Sequence, residues 1–256
     1  MKSKEDDLKR RGYVKDPSIY LTDNLSSHEL LKKLDSCIAS ERTSAIIFLR
    51  KYYQIDNEFY IYFLLKHLCK EKALYTKIEI AKTLASGNEK TALLMCDYLG
   101  VIGDNQYVRV EGIPSKKKSY PLPRDIIARS LGKMNPNIIP ILFAQLQSIE
   151  RKRLYELMDA IGYILFYHPS LADILYFRQI KSLFFQNSDD ELLQWKIIQC
   201  CSSFLILENE AFLNTAFNYT NNKTILLEIK RSLNLILRRR KYFIDNEKNI
   251  SLSDGV

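Results

Sequence analysis

The sequence predicts an all-α fold, an α-α superhelix (solenoid) of about six helix pairs. Three features carry that prediction. Chain breakers are scarce: the 256 residues hold 8 Gly and 7 Pro, which suits long helices joined by short turns and argues against a turn-rich β protein. Apolar residues recur at helical spacing along nearly the whole chain. The helices also come in pairs that repeat with a period of a few tens of residues. Hydrophobic residues make up 46% of the chain, enough for a sizeable core and too many for wholesale disorder.

Residues 1–25 mix charges of both signs without a period and read as a flexible or loosely docked arm. From Ser26 the helical period takes over, and one repeat domain is expected over 26–241. In "ERTSAIIFLRKYY" the positions Ala45, Phe48, Leu49 and Tyr52 fall on one helix face. "DNEFYIYFLLKHLCK" follows, with Asp56 expected as its cap. "LYTKIEIAKTLAS" and "NEKTALLMCDYLGVIG" come next, parted by Gly87, with Gly100 or Gly103 closing the second. Pro123 is expected in the first turn of "LPRDIIARSLGKM". "NIIPILFAQLQSI" and "RKRLYELMDAIGYILFYH" follow, the latter stopped by Pro169. Then come "SLADILYFRQIKSLFF", "ELLQWKIIQCCSSFLIL" and "NEAFLNTAFNYT". The segment "NKTILLEIKRSLNLILRRRKYF" closes the ordered part, and the polar tail 242–256 is expected to fray.

One stretch breaks this pattern. "YVRVEGIPSKKKSYPLPRD", Tyr107 to Asp125, is basic and punctuated by Pro114, Pro121 and Pro123. The inserted loop, about 104–121, is far longer than the roughly 2 to 8 residues usual between paired helices. Within it "QYVRVEGI" has the alternation of a short extended segment. Long loops in compact arrays commonly carry function. This one is expected to overhang the array and to be replaceable by a short Gly-Ser turn without loss of folding.

The second helices align on Ala45, Ala81, Ile127, Leu157, Cys200 and Ile229, at spacings of 36, 46, 30, 43 and 29 residues. Five of the six have a basic residue three or four places upstream: Arg42, Lys77, Arg124, Arg153 and Lys196. Gly132 and Gly162 follow two of them. "PRDIIARSLGKM" and "ERTSAIIFLRKY" match best the second-helix pattern V-R-x-x-A-x-x-x-L-G. Over about Ser26 to Arg240 the chain resembles the HEAT-repeat family, including its short bacterial HEAT-like branch. That resemblance implies about six stacked helix pairs sharing one core, second helices on a concave side, and a structural role for Arg42, Arg124 and Arg153 between neighbouring repeats. One HEAT-like group, the alkylpurine DNA glycosylases, works with Trp, Asp and Arg on the concave surface. Those motifs do not align onto Trp195, Asp159 or any Arg here, so that activity is not carried over.

No catalytic, cofactor-binding or metal-ligating set stands out. His28, His67 and His168 are far apart and form none of the usual metal spacings, and no Gly-rich phosphate loop or nucleophile elbow is present. Asp189 and Asp190 precede a helix and read as caps. The five cysteines, Cys37, Cys69, Cys96, Cys200 and Cys201, sit at apolar positions and are expected as buried, reduced side chains. With no signal segment and no spanning helix in the sequence, a cytoplasmic location is expected.

The basic residues say more. The formal net charge is +8, which suits an anionic partner. The candidate partner-binding set is Lys116, Lys117, Lys118 and Tyr120 in the loop, Lys82, Arg129 and Lys133 on second helices, and Arg151 and Lys152 opening a helix. Lys230 and Arg231 lie farther along the last helix, while Arg238 to Lys241 are expected at its C-terminus, where the dipole favours cations. The expected function is a non-enzymatic interaction module or scaffold for a protein or peptide. The second reading is a nucleic-acid-binding protein that holds a DNA or RNA backbone in a basic groove, with a base-repair activity as its enzymatic extension. No small-molecule substrate or cofactor is indicated.

Overall fold

The structure, a computed structural model, describes residues 5–22, 24–53 and 57–253. Regular structure among the described residues is helical throughout. The alternating segment "QYVRVEGI" forms no strand, since no neighbouring segment pairs with it. The chain divides into two compact units, residues 1–104 with 125–142, and residues 105–124 with 143–256.

The first unit begins with α1 (Glu5–Arg10) and a 3-10 turn at Pro17–Ile19. The segment expected as a flexible or loosely docked arm contacts the helices that follow it. The Tyr75 amide donates to the Arg11 carbonyl at 3.0 Å, and Leu21 is buried. Gly12 permits the approach: its φ is 82°, and a Cβ there would press on the hydroxyls of Thr43 and Thr76. Residues 1–4 lie outside the described residues.

α2 (Ser27–Lys33) opens on a capping box between Ser26 and Glu29. α3 (Ala39–Tyr52) follows, then α4 (Glu58–Lys70), α5 (Leu74–Ala85), α6 (Glu89–Cys96) and α7 (Ile126–Leu131). Asp56, the expected cap of α4, lies outside the described residues; Asn57 caps the helix by accepting from the Phe59 amide. α7 starts later than expected. Asp125 caps it by accepting from the Ala128 amide, which leaves Pro123 outside the helix. Asp125 also accepts from the Gly100 amide at 3.3 Å, tying the end of α6 to the start of α7.

Within this unit α3, α5 and α7 pack in succession, with α4 against α5 and α6. Polar contacts tie the row together. The Thr43 and Thr76 hydroxyls meet at 2.8 Å. Arg42 makes a two-pronged contact with Glu71, both bonds at 2.8 Å, and donates to the Ser36 carbonyl. Arg50 reaches Glu79 at 2.7 Å.

α8 (Ile139–Gln145) carries the unit boundary. The second unit contains α9 (Arg151–Tyr167), α10 (Ile174–Gln186), α11 (Glu191–Cys201), α12 (Leu207–Ala216) and α13 (Lys223–Ser253). α11 packs against α9 and α13 and is buried continuously from Leu192 to Cys201, as a helix covered on every side must be. α13 continues past Lys241 to Ser253, a stretch from Lys223 that contains no Gly or Pro. Only 254–256 of the expected tail lies outside the described residues.

Two further expectations are corrected. Arg238 to Lys241 lie inside α13 rather than at its end. Arg239 donates to the Ser202 and Phe166 carbonyls, and Arg240 donates to the Leu205 carbonyl and Glu210. Of the cysteines, Cys96, Cys200 and Cys201 are buried, but Cys37 and Cys69 are exposed. Cys37 falls in the turn before α3 and Cys69 on the outer side of α4, where a small side chain is not forced inward. No helix among the described residues is long and apolar enough to cross a membrane.

The Arg42–Glu71 pair yields a pH prediction. Burial alone would raise the Glu71 carboxyl, but hydrogen bonds from Arg42 and the following amides prevail and hold it below its ordinary value. A depressed carboxylate stabilises the fold above its unfolded pKa, and that stability is lost as pH falls through the lower folded value. Glu71→Gln should cost about 2 kcal/mol at neutral pH, the scale of hydrogen bonds to a charged group. Thermal melts in acid should show the two proteins converging. A gap that persists undiminished in acid would refute the assignment.

Candidate functional site: a basic groove between a strapped loop and the last helix

The long loop does not overhang the protein. It is strapped to its own unit at four places. At its start Tyr107 lies edge-on to Trp195, 4.8 Å between ring centres, while the Arg124 guanidinium covers its face at 3.7 Å. In the middle, the Thr224 hydroxyl donates to the Gly112 carbonyl at 3.0 Å. Arg231 then spans the loop's tip, donating to the Ser115 carbonyl at 2.8 Å and the Ser119 carbonyl at 2.9 Å. At its end Tyr120 enters the core beside Phe166 and Tyr163.

Tyr120 is only 3% exposed, so it is a packing residue and is withdrawn as a partner contact. Its burial also corrects the expectation that the loop can be exchanged for a short turn, since the exchange would empty part of the core. The ring fits because residue 162 on α9 is Gly; a Cβ there would overlap the Tyr120 hydroxyl. That hydroxyl has no hydrogen-bond partner among the described residues, and burial drives its pKa well above the ordinary value.

Charged side chains under the loop are structural. Lys196, 1% exposed, bonds Asp159 at 2.5 Å, lies 3.9 Å from Glu156, and sits 5.2 Å from the Tyr107 ring centre. Glu228 is also buried; burial pushes its carboxyl above the ordinary range, opposed by Arg231 at 2.7 Å. These charges are matched within the core, as buried ions must be. Among the described residues no cluster of His, Cys, Asp and Glu is arranged to hold a metal ion.

The strapped loop leaves Lys116, Lys117 and Lys118 exposed on the rim of a groove of about 300 Å³. Its other wall is α13, contributing Leu227, Lys230, Asn234 and Arg238, with Leu235 deeper and Ile113 and Pro114 on the loop side. Lys116, Lys117, Lys118, Lys230 and Arg238 have no carboxylate partner among the described residues. Arg231 also lines the groove but is committed to Glu228 and the loop carbonyls.

The remaining candidates are placed elsewhere. Lys82 pairs with Glu79 at 2.5 Å. Arg129, half-buried, and Lys133, exposed, belong with Lys82 to the first unit. Arg151 pairs with Asp190 at 3.4 Å and Asp189 at 3.9 Å, and Lys152 is exposed beside it. Asp190 caps α11 as expected, accepting from the Leu193 amide, and also accepts from the Tyr155 hydroxyl. The loop lysines thus join Lys230 and Arg238, while Arg151 and Lys152 line no part of this groove. Sequence reading missed the apolar share of the groove, Ile113 and Leu227, because two exposed aliphatic side chains 114 positions apart carry no local signal.

No family model matches the chain, and no curated protein matches it. Among solved structures it is similar to an engineered protein from the Northeast Structural Genomics Consortium, at 14% identity and a TM-score of 0.38. The match covers 90% of this chain and 62% of that one, so the chain spans less than two thirds of that protein's length. A likeness at this level carries no argument about function.

The close fit of Tyr120 over Gly162 gives a paired prediction. Gly162→Ala should destabilise the protein by about 1 to 3 kcal/mol, as overpacking does. Tyr120→Phe alone should be neutral or stabilising by about 1 kcal/mol, since it removes a buried hydroxyl with no partner. Denaturant titration of the two single variants and the double variant checks this. The double variant should recover part of the Gly162→Ala loss; strict additivity would show that the hydroxyl is not what the new methyl meets.

Proposed function

We propose that the chain is a non-enzymatic interaction module, a HEAT-like α-α superhelix that receives an acidic macromolecular partner in the groove between its loop and α13. The observation that carries this reading is the set of five groove cations, Lys116, Lys117 and Lys118 on the loop and Lys230 and Arg238 on α13, which have no carboxylate partner among the described residues, beside a loop that four contacts hold in place. A pre-formed cationic groove requires little ordering on binding, which favours affinity. The repeat reading draws support from the packing within each unit. The six aligned positions fall on α3, α5, α7, α9, α11 and α13, and these helices pack in succession, α3 to α5 to α7 and α9 to α11 to α13. The same reading places the module in the cytoplasm. A nucleic-acid backbone is the second reading, favoured by the same cations.

Fluorescence anisotropy with labelled poly-glutamate, duplex DNA and single-stranded RNA tests the proposal across about 50 to 300 mM salt. Poly-glutamate is expected to bind, more weakly as salt rises. The triple variant Lys116→Ser, Lys117→Ser, Lys118→Ser, with its circular dichroism unchanged, should bind about tenfold more weakly, from three exposed charge contacts of a few tenths of a kcal/mol each. A steep duplex slope, near −0.9 per phosphate contacted, with no poly-glutamate binding would move nucleic acid to first place. Absence of binding to every polyanion at the lowest salt would overturn both readings.

A further inference from the structure

We infer that the groove takes an acidic protein segment carrying one apolar anchor side chain, rather than a nucleic-acid strand. This deepens the interaction-module reading and rests on it. The first ground is the make-up of the walls. Between the cations lie Ile113, 81% exposed, and Leu227, 44% exposed, with Leu235 beneath. Solvent contact at two aliphatic side chains facing one groove is a cost that an apolar group of a partner would relieve. Phosphate backbones offer no such group.

The second ground is that no aromatic side chain lines the groove among the described residues. Proteins that hold single strands stack bases on aromatic rings within a basic channel. Of the loop's own rings, Tyr107 is covered by Arg124 and Tyr120 is buried. The chain has rings in abundance, but among the described residues this groove presents none of them.

The third ground is dimension. The stripe on α13 from Leu227 to Arg238 rises about 16 Å at 1.5 Å per residue. An extended peptide advances about 3.3 Å per residue, so roughly five residues would cover it. Acidic side chains of such a segment meet Lys230 and Arg238 on one wall and Lys116 to Lys118 on the other. One apolar side chain among them settles between Ile113 and Leu227. Alternating charge and apolar contact fixes register in a way that charge alone does not.

The test uses three fluorescein-labelled probes on the full chain at one salt concentration. The first is a dodecapeptide of Glu and Ser with a single central Leu. The second has Ser in place of that Leu, and the third is an oligo-thymidylate of equal charge. Burial of one Leu side chain predicts binding about tenfold tighter for the first peptide than for the second, with the oligonucleotide weaker than the first. Leu227→Ser and Ile113→Ser, both at exposed positions, should abolish the preference for Leu and bring the two peptides to equal affinity on each variant. Equal affinity for the two peptides, or tightest binding of the oligonucleotide, would overturn the inference while leaving an anion-binding groove intact. Failure of all three probes to bind would instead remove the interaction-module reading on which the inference rests.

Discussion

The guanidinium of Arg231 holds the molecule's least regular segment to its most regular one. The loop's proline-punctuated backbone forms no helix or strand, so its carbonyls need partners from elsewhere. Arg231 supplies donors to two of them, Ser115 and Ser119. Its planar fork suits that task better than an ammonium would. The charge brought into this half-buried position is balanced by Glu228 one turn away on the same helix. Burial favours the neutral form of Glu228, and Arg231 favours the charged form; each makes the other's position tolerable. Loosening this pair would release the loop's tip and, with it, the three lysines of the rim.

Further along α13, Arg239 does for the α9 and α11 ends what Arg231 does for the loop. It donates to the Phe166 and Ser202 carbonyls and stacks over the Phe166 ring at 3.9 Å. Carbonyls at helix ends lack partners within their own helix, and a cation there meets the negative end of the dipole. Burial lowers the Arg239 pKa to about 10, and the group still carries its charge at neutral pH. The cations of α13 therefore divide by facing. Arg231, Arg239 and Arg240 are engaged within the unit, while Lys230 and Arg238 face the groove. The same residue type is engaged in packing on one face and turned to a solvent-filled groove on the other.

A comparable division holds on α11. Its continuous burial leaves no place for an isolated charge, and Lys196 is accommodated by Asp159 and Glu156 from α9. Removing one partner of such a set leaves a buried ion unmatched, at a cost of about 3 to 5 kcal/mol. Because the set joins two different helices, it also fixes their relative register, which apolar contacts alone leave looser.

The sequence by itself determined the helical class, the apolar phase of helices such as α3, α9 and α11 and the place of the basic insertion. Those properties are local: residues three and four apart share a face whatever the rest of the chain does, and a run such as Ser115 to Tyr120 shows its charge without reference to a fold. Helix ends were less legible. Asp125 rather than Pro123 starts α7, because a cap depends on which amides lie within reach. Only the tertiary structure decided which cations are engaged and which face solvent. It set Tyr120 over Gly162, put Arg231 on carbonyls more than a hundred positions away, and placed Leu227 opposite Ile113. Contacts of that separation arise when elements pack, and no local spacing, propensity or charge pattern encodes which partner each side chain will meet.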